Sequence, residues 1–146
     1  ADTGHARITG AVEAFCHQRA DCKLFTNLAH LDYWALLQSA CLMVGNSSSG
    51  IMESPSLALP CVNIGRRQQG RMRAGNIIDC EATPGSIAKA MQTALEPSFR
   101  AGLDDLENPY GDGTAGQQIA EILARVPLDE RLLHKRALPR ASGVQP

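Results

Sequence analysis

One stretch constrains the fold of this chain more than any other, namely residues 42–71, LMVGNSSSGIMESPSLALPCVNIGRRQQGR. It begins with an apolar run at 42–44, which leads into a polar turn containing glycine and then into a short helical pattern carrying Glu53. A second apolar run at 61–64 is followed by a basic segment at 66–73. The order strand, glycine-containing turn, helix, strand and loop is typical of α/β domains that bind phosphate groups at the carboxyl ends of parallel strands.

The rest of the chain continues this alternation of helices and strands. Apolar periodicity predicts helices at 4–19, 31–40, 85–95 and 114–125, and strands at 23–26, 42–44, 61–64 and 76–80. Thr3 and Pro84 are suited to begin the first and third helices. We therefore expect an α/β fold over residues 1–126, a Rossmann-like parallel sheet buried on both faces and flanked by helices. The tail at 127–146 is charged and interrupted by proline, and we expect it to be partly disordered.

Composition excludes several classes of function. A chain of 146 residues with 44% apolar content can bury one core, and its net charge of −1 and 4% aromatic content argue against nucleic acid as a partner. No apolar run is long enough to span a bilayer, so no membrane partner is expected. Five cysteines without a CxxC spacing favour a reducing, cytoplasmic setting, and the same spacing argues against a metal site.

The polar turn is the first candidate site. Ser47, Ser48, Ser49 and Gly50 bring three hydroxyls and several backbone N–H groups to the start of a helix, where an anion is attracted. The alternative is that one serine only caps the helix, although a single serine would suffice for that. The turn lacks the GK[ST] ending of a P-loop, which argues against Mg-dependent phosphoryl transfer.

Charged side chains follow both strands of the central stretch. Glu53 could accept hydrogen bonds from the hydroxyls of a ribose or could complete a capping box, and its spacing leaves both interpretations open. Pro55 should keep this helix short. Four arginines occur between residues 66 and 73, and one of them facing the serine turn would hold a diphosphate; the alternative is a solvated surface loop. Spacing alone does not choose among them.

With these motifs in place, and with the NPYGDGTA motif after residue 107, residues 2–123 resemble the UDP-N-acetylglucosamine 2-epimerases, in particular the hydrolysing branch used in sialic acid and related pathways. The resemblance implies the C-terminal half of a GT-B fold, with the active site in a cleft between two halves. It implies that Ser47 and Ser48 bind the diphosphate of UDP, that Glu53 binds the ribose and that Arg67 approaches the phosphates. The implied reaction converts UDP-N-acetylglucosamine and water into N-acetylmannosamine and UDP through a glucal, and the resemblance implies no metal and no other cofactor.

The resemblance also implies what this chain does not contain. The family's acidic catalytic residues and a substrate-contacting His-Pro motif would lie upstream of Ala1, and the scattered histidines do not replace them, so we expect no catalytic residue here and an inactive isolated chain. A missing N-terminal half would be its partner, and an exposed apolar sheet edge would favour a homo-oligomer. Two alternatives stay open: the nucleotide-sugar half of a GT-B glycosyltransferase, and a non-catalytic nucleotide-binding or assembly module.

Overall fold

The computed structural model describes residues 5–134 of the chain. Its helices are α1 (His5–His17), α2 (His30–Ser39), α3 (Ser49–Met52), α4 (Pro84–Leu95), α5 (Pro97–Ala101), α6 (Ala115–Arg125) and α7 (Glu130–Leu133). Its strands are β1 (Met43–Gly45), β2 (Cys61–Ile64) and β3 (Ile77–Cys80), and a 3₁₀ turn, Ser54–Leu57, follows α3. The cap predicted at Thr3 and residues 135–146 of the tail lie outside the described residues.

The three strands form one parallel sheet, as the sequence predicts, and their order in the sheet is β1-β2-β3. In register, Gly45 pairs with Asn63, and Asn63 pairs with Asp79 on the other side. Because all three strands run the same way, their carboxyl ends meet at one edge of the sheet. The polar turn after β1, residues 47–50, is called the serine turn below, and the basic segment after β2, residues 66–73, is called the basic loop. These two segments therefore leave the sheet side by side.

The core lies around the central strand. Val62 of β2 is fully buried and packs with Ala90 and Ala94 of α4, whose small side chains let the helix approach the sheet. Strand β1 is different, because Val44 is 41% exposed. The prediction of a sheet buried on both faces is therefore right for β2 and wrong for β1, which forms an edge of the described sheet.

One further sequence prediction needs correction. Residues 23–26 form no strand, and Leu24 and Phe25 are exposed; a strand needs a hydrogen-bonded neighbour, and no strand among residues 5–134 pairs with this segment. In α2 only Leu37 is buried, whereas Leu31 lies in solvent. Helix periodicity identifies an apolar face, but not whether another element covers it.

The described helices are short. None of those between residues 5 and 134 is long and apolar enough to cross a membrane.

Candidate functional site

The serine turn leads into a helix of a single turn. Ser47 and Ser48 are exposed, and α3 begins at Ser49, whose N–H donates to the hydroxyl of Ser47 at 3.3 Å. The helix ends at Met52, and Pro55 lies in the 3₁₀ turn that follows, so the short helix predicted from Pro55 is confirmed. Because so short a helix has a small dipole, we expect the hydroxyls and turn N–H groups to supply most of the attraction for an anion.

Gly50 is buried, and its packing explains why the position is glycine. A Cβ atom added to Gly50 would lie 2.7 Å from the sulfur of Cys61 on β2, far inside contact distance. Burial raises the pKa of the Cys61 thiol to about 11, so this sulfur is held in the core as a neutral group. Gly50 thus lets α3 lie directly on β2. A contact between its backbone and a ligand remains a prediction.

Glu53 follows α3 and carries an unsatisfied oxygen. Its Oε2 atom is buried and has no hydrogen-bond partner within the described part of the chain. The N-cap of α3 is Ser48, so Ile51 occupies the position that a capping box would give to glutamate, and Glu53 is the C-cap residue instead. Of the two interpretations that the spacing leaves open, the capping box is therefore wrong. A buried carboxylate oxygen without a donor is a natural acceptor for a ligand hydroxyl.

The basic loop after β2 is ordered by one of its own arginines. Arg73 forms a two-point ion pair with Asp79 of β3, at 3.1 and 3.3 Å, and also donates to the backbone carbonyls of Gln68 and Arg71. Burial alone would raise the pKa of the Asp79 carboxyl, but hydrogen bonds from Arg73 and Asn63 and the charge of Arg73 outweigh it, so the pKa is lowered. The guanidinium of Arg73 is therefore held by groups of the fold itself. The side chains of Arg66 and Arg67 are exposed.

Residues of the basic loop also touch the serine turn and the helix behind it. The side-chain amide of Gln68 donates to the carbonyl of Asn46 at 2.8 Å, and the guanidinium of Arg71 lies 3.0 Å from the sulfur of Met52. Gln68, the residue after Arg67, is therefore anchored beside the serine turn. The predicted phosphate-binding groups and a cationic loop thus share one edge of the sheet.

Comparison with known proteins identifies the family. The model of the UDP-N-acetylglucosamine 2-epimerase family matches residues 1–124. The chain belongs to this family. It is 34% identical over 110 residues to the polysialic acid biosynthesis protein P7 of Escherichia coli, covering 75% of this chain and 28% of that protein. It is 32% identical over 135 residues to a hydrolysing UDP-N,N'-diacetylbacillosamine 2-epimerase of Legionella pneumophila, covering 92% of this chain and 34% of that enzyme.

A solved structure supports the same fold. The UDP-N-acetylglucosamine 2-epimerase of Neisseria meningitidis, bound to UDP-N-acetylglucosamine, superposes with a TM-score of 0.67 at 19% identity, covering 82% of this chain and 34% of that one. The α/β fold of this epimerase-family chain is therefore that of its relatives. The chain spans only about a third or less of the length of the relatives it matches.

The sequence of this epimerase-family member does not predict some other contacts at its candidate site. The hydroxyl of Tyr33 on α2 lies 2.7 Å from that of Ser49. Asn108, in the NPYGDG motif, donates to the carbonyl of Met52 at 2.9 Å and to the hydroxyl of Ser56 at 2.7 Å. The proline and glycines of this motif favour a turn, which the chain forms here, and this turn also supports the backbone next to Glu53. The described residues contain no group of three or more His, Cys, Asp or Glu side chains that could hold a metal.

Proposed function

We propose that this chain is the UDP-binding part of a hydrolysing UDP-N-acetylglucosamine 2-epimerase. In this proposal residues 1–126 form the nucleotide-binding half-domain. The serine turn, Ser47 to Gly50, receives the diphosphate, Glu53 receives the ribose, and Arg67 supplies a positive charge to the phosphates. Family membership and the names of the hydrolysing relatives support the reaction class.

The observation that carries the proposal is the unsatisfied Oε2 atom of Glu53. Leaving a buried carboxylate oxygen without a donor costs roughly 1 to 3 kcal/mol, so the fold alone gives no reason to keep it. A ribose hydroxyl would satisfy that oxygen. Glu53 lies one turn of helix after the serine turn. The serine turn presents its hydroxyls at the same sheet edge as the basic loop. This arrangement suits a nucleoside diphosphate better than a free phosphate.

The chemistry assigned to this chain is stabilisation of the leaving group. In the first step a base removes the proton at C2 of the sugar while the bond between C1 and the UDP oxygen breaks, giving a 2-acetamidoglucal and UDP. Water then adds across the new double bond, with hydroxide at C1 and a proton at C2, which yields N-acetylmannosamine. Negative charge grows on the diphosphate as it leaves, so serine hydroxyls and Arg67 would stabilise the transition state.

The proposal assigns the acid and base to another part of the protein. The chain matches at most about a third of its relatives' length, and we propose that the catalytic carboxylates belong to the half of a GT-B fold that faces this one. The nucleotide-sugar half of a glycosyltransferase is the alternative with the same nucleotide site. Incubation of the intact protein with UDP-N-acetylglucosamine separates the two, because release of N-acetylmannosamine without an acceptor is expected only for the epimerase.

Calorimetric titration with UDP tests the site directly. Ser48→Ala and Arg67→Ala should each weaken binding by roughly tenfold, the equivalent of one charge-assisted hydrogen bond. Glu53→Gln should weaken binding of UDP and of uridine alike, since the ribose is common to both. Gln69 is an exposed residue of the basic loop, two positions after Arg67, and offers a matched control. Gln69→Ala should leave the affinities for UDP and for uridine unchanged. Unchanged UDP affinity in both Ser48→Ala and Arg67→Ala would show that the site is wrongly assigned.

A further inference from the structure

A continuous series of contacts connects β3 to the serine turn. Asp79 holds the guanidinium of Arg73, and Arg73 donates to the backbone carbonyl of Gln68 at 2.9 Å. The side chain of Gln68 then donates to the backbone carbonyl of Asn46, the residue before Ser47, at 2.8 Å. Strand β3, the basic loop and the backbone just before the serine turn are thus joined by hydrogen bonds, and Gln68 makes the contact between the two loops.

The side chain of Gln68 is buried, and one of its polar atoms lacks a hydrogen-bond partner among the described residues. Gln68 is only 5% exposed, yet its Oε1 atom has no hydrogen-bond partner within residues 5–134. An unsatisfied buried oxygen lowers the stability of the fold by at least as much as the hydrogen bond to Asn46 contributes. A leucine of similar size would fill the same space without that cost. Stability therefore does not account for an amide at this position.

We propose that Gln68 is a positioning residue that sets the distance between the serine hydroxyls and Arg67. Arg67 is the residue immediately before Gln68, and Ser47 is the residue immediately after Asn46. A single hydrogen bond between Gln68 and Asn46 therefore couples the backbone of the cationic loop to that of the serine turn. With this spacing held in advance, the two loops meet one diphosphate without first losing the entropy of independent motion. This inference rests on the proposed function.

Amide hydrogen exchange on the free chain tests the coupling without a ligand. In Gln68→Leu, the amides of the serine turn and of residues 66–71 should exchange faster together, by about tenfold, while those of β2 keep their rates. The control is Gln69→Leu, which places the same side chain on the exposed neighbour and should leave both loops unchanged. Faster exchange in only one loop, or in neither, would overturn the coupling.

Binding of UDP and uridine to the same variants tests the consequence. In Gln68→Leu, UDP affinity should fall roughly tenfold while uridine affinity stays within about twofold, and the melting temperature should be unchanged or higher. Equal affinity of the native chain for UDP and uridine would overturn the proposed diphosphate site itself. A native preference for UDP that Gln68→Leu leaves intact, or parallel losses for both ligands, would overturn only the role of Gln68.

A second variant guards against loss of folding in Gln68→Leu. Arg73→Lys keeps the positive charge but cannot reproduce the two-point pairing with Asp79, so the loop carrying Gln68 should loosen. We expect the preference for UDP over uridine to shrink by several-fold. If that preference is fully retained in a folded Arg73→Lys chain, the series of contacts through Arg73 does not position the loop.

Discussion

At the scale of single residues, the contact between α3 and β2 limits what position 50 can hold. Gly50→Ala would bring a methyl group to 2.7 Å from the sulfur of Cys61, so helix or strand must shift. We expect a loss of roughly 1 to 3 kcal/mol in the free energy of unfolding, measured by urea denaturation. Gly116→Ala on exposed α6, where nothing lies within 4 Å of the added methyl, should instead stabilise by up to about 1 kcal/mol.

A double variant identifies the cause of that loss. Cys61→Ala removes the obstructing sulfur, so Gly50→Ala should cost less in the Cys61→Ala background than in the native chain. Equal costs in the two backgrounds would mean that the clash with Cys61 is not the reason.

The Cys61 thiol also predicts how the fold responds to alkaline pH. Burial raises its pKa from 9.0 to about 11, so between these values the unfolded chain releases this proton and the folded chain keeps it. Stability should be fully present below pH 9 and should fall by about 2 to 3 kcal/mol as the pH rises to 11. Cys61→Ala should flatten this part of the curve of unfolding free energy against pH. An equally steep curve in the variant would assign the loss to other groups.

At the scale of elements, the turn between α3 and β2 depends on Asn76, which precedes β3. The amide of Asn76 donates to the hydroxyl of Ser54 and to the carbonyl of Leu59, both at 2.7 Å, and Ser54 in turn donates to the carbonyl of Gly50. All four residues are buried, so water cannot replace these partners. Asn76 thereby holds together the beginning and the end of the segment that carries Glu53.

Substitution of Asn76 should therefore disturb both stability and binding. Asn76→Ala leaves the Leu59 carbonyl buried without a donor, and we expect a loss of roughly 2 to 4 kcal/mol in the free energy of unfolding. Asn27→Ala, on an exposed residue of the same type, should cost less than about 0.5 kcal/mol. Chemical denaturation of the two variants checks the difference. A near-neutral Asn76→Ala would mean that the turn is held by its packing alone.

At the scale of the whole molecule, two helices show apolar faces to solvent. Ile8 and Phe15 of α1 are exposed, as are Ile119, Ile122 and Leu123 of α6. Val44 of the edge strand β1 is exposed as well. Exposed apolar side chains favour association in water, and the homo-oligomer expected from the sequence stays a prediction.

We expect the chain to self-associate, and a charge on the apolar face of α6 to weaken this. Ile122 is 65% exposed, so Ile122→Lys should lower the mass measured by sedimentation at a given concentration with little effect on melting temperature. Ala124→Lys places the same charge on the opposite side of α6 and serves as the control. Equal effects of the two lysines would show that net charge, not the apolar face, controls association.

The sequence by itself determined much of the fold and the choice of site residues. Strands at 61–64 and near 76–80, the single turn of helix before Pro55 and the glycine-rich turn of the NPYGDG motif all follow from local rules of backbone conformation and apolar patterning. The family motifs also indicated Ser47, Ser48, Glu53 and Arg67 as candidate site residues, because these polar side chains lie next to recognisable turns.

Only the tertiary structure decided which contacts hold the segments of the candidate site in place. Local spacing cannot show that Arg73 is paired with Asp79, that Gly50 rests on Cys61 or that Gln68 reaches Asn46, because each contact joins segments from different strands or turns. The same reason explains the failed strand at 23–26: pairing and burial depend on neighbours that are distant in the chain. Patterns in sequence specify what a segment can form, and packing decides what it contacts.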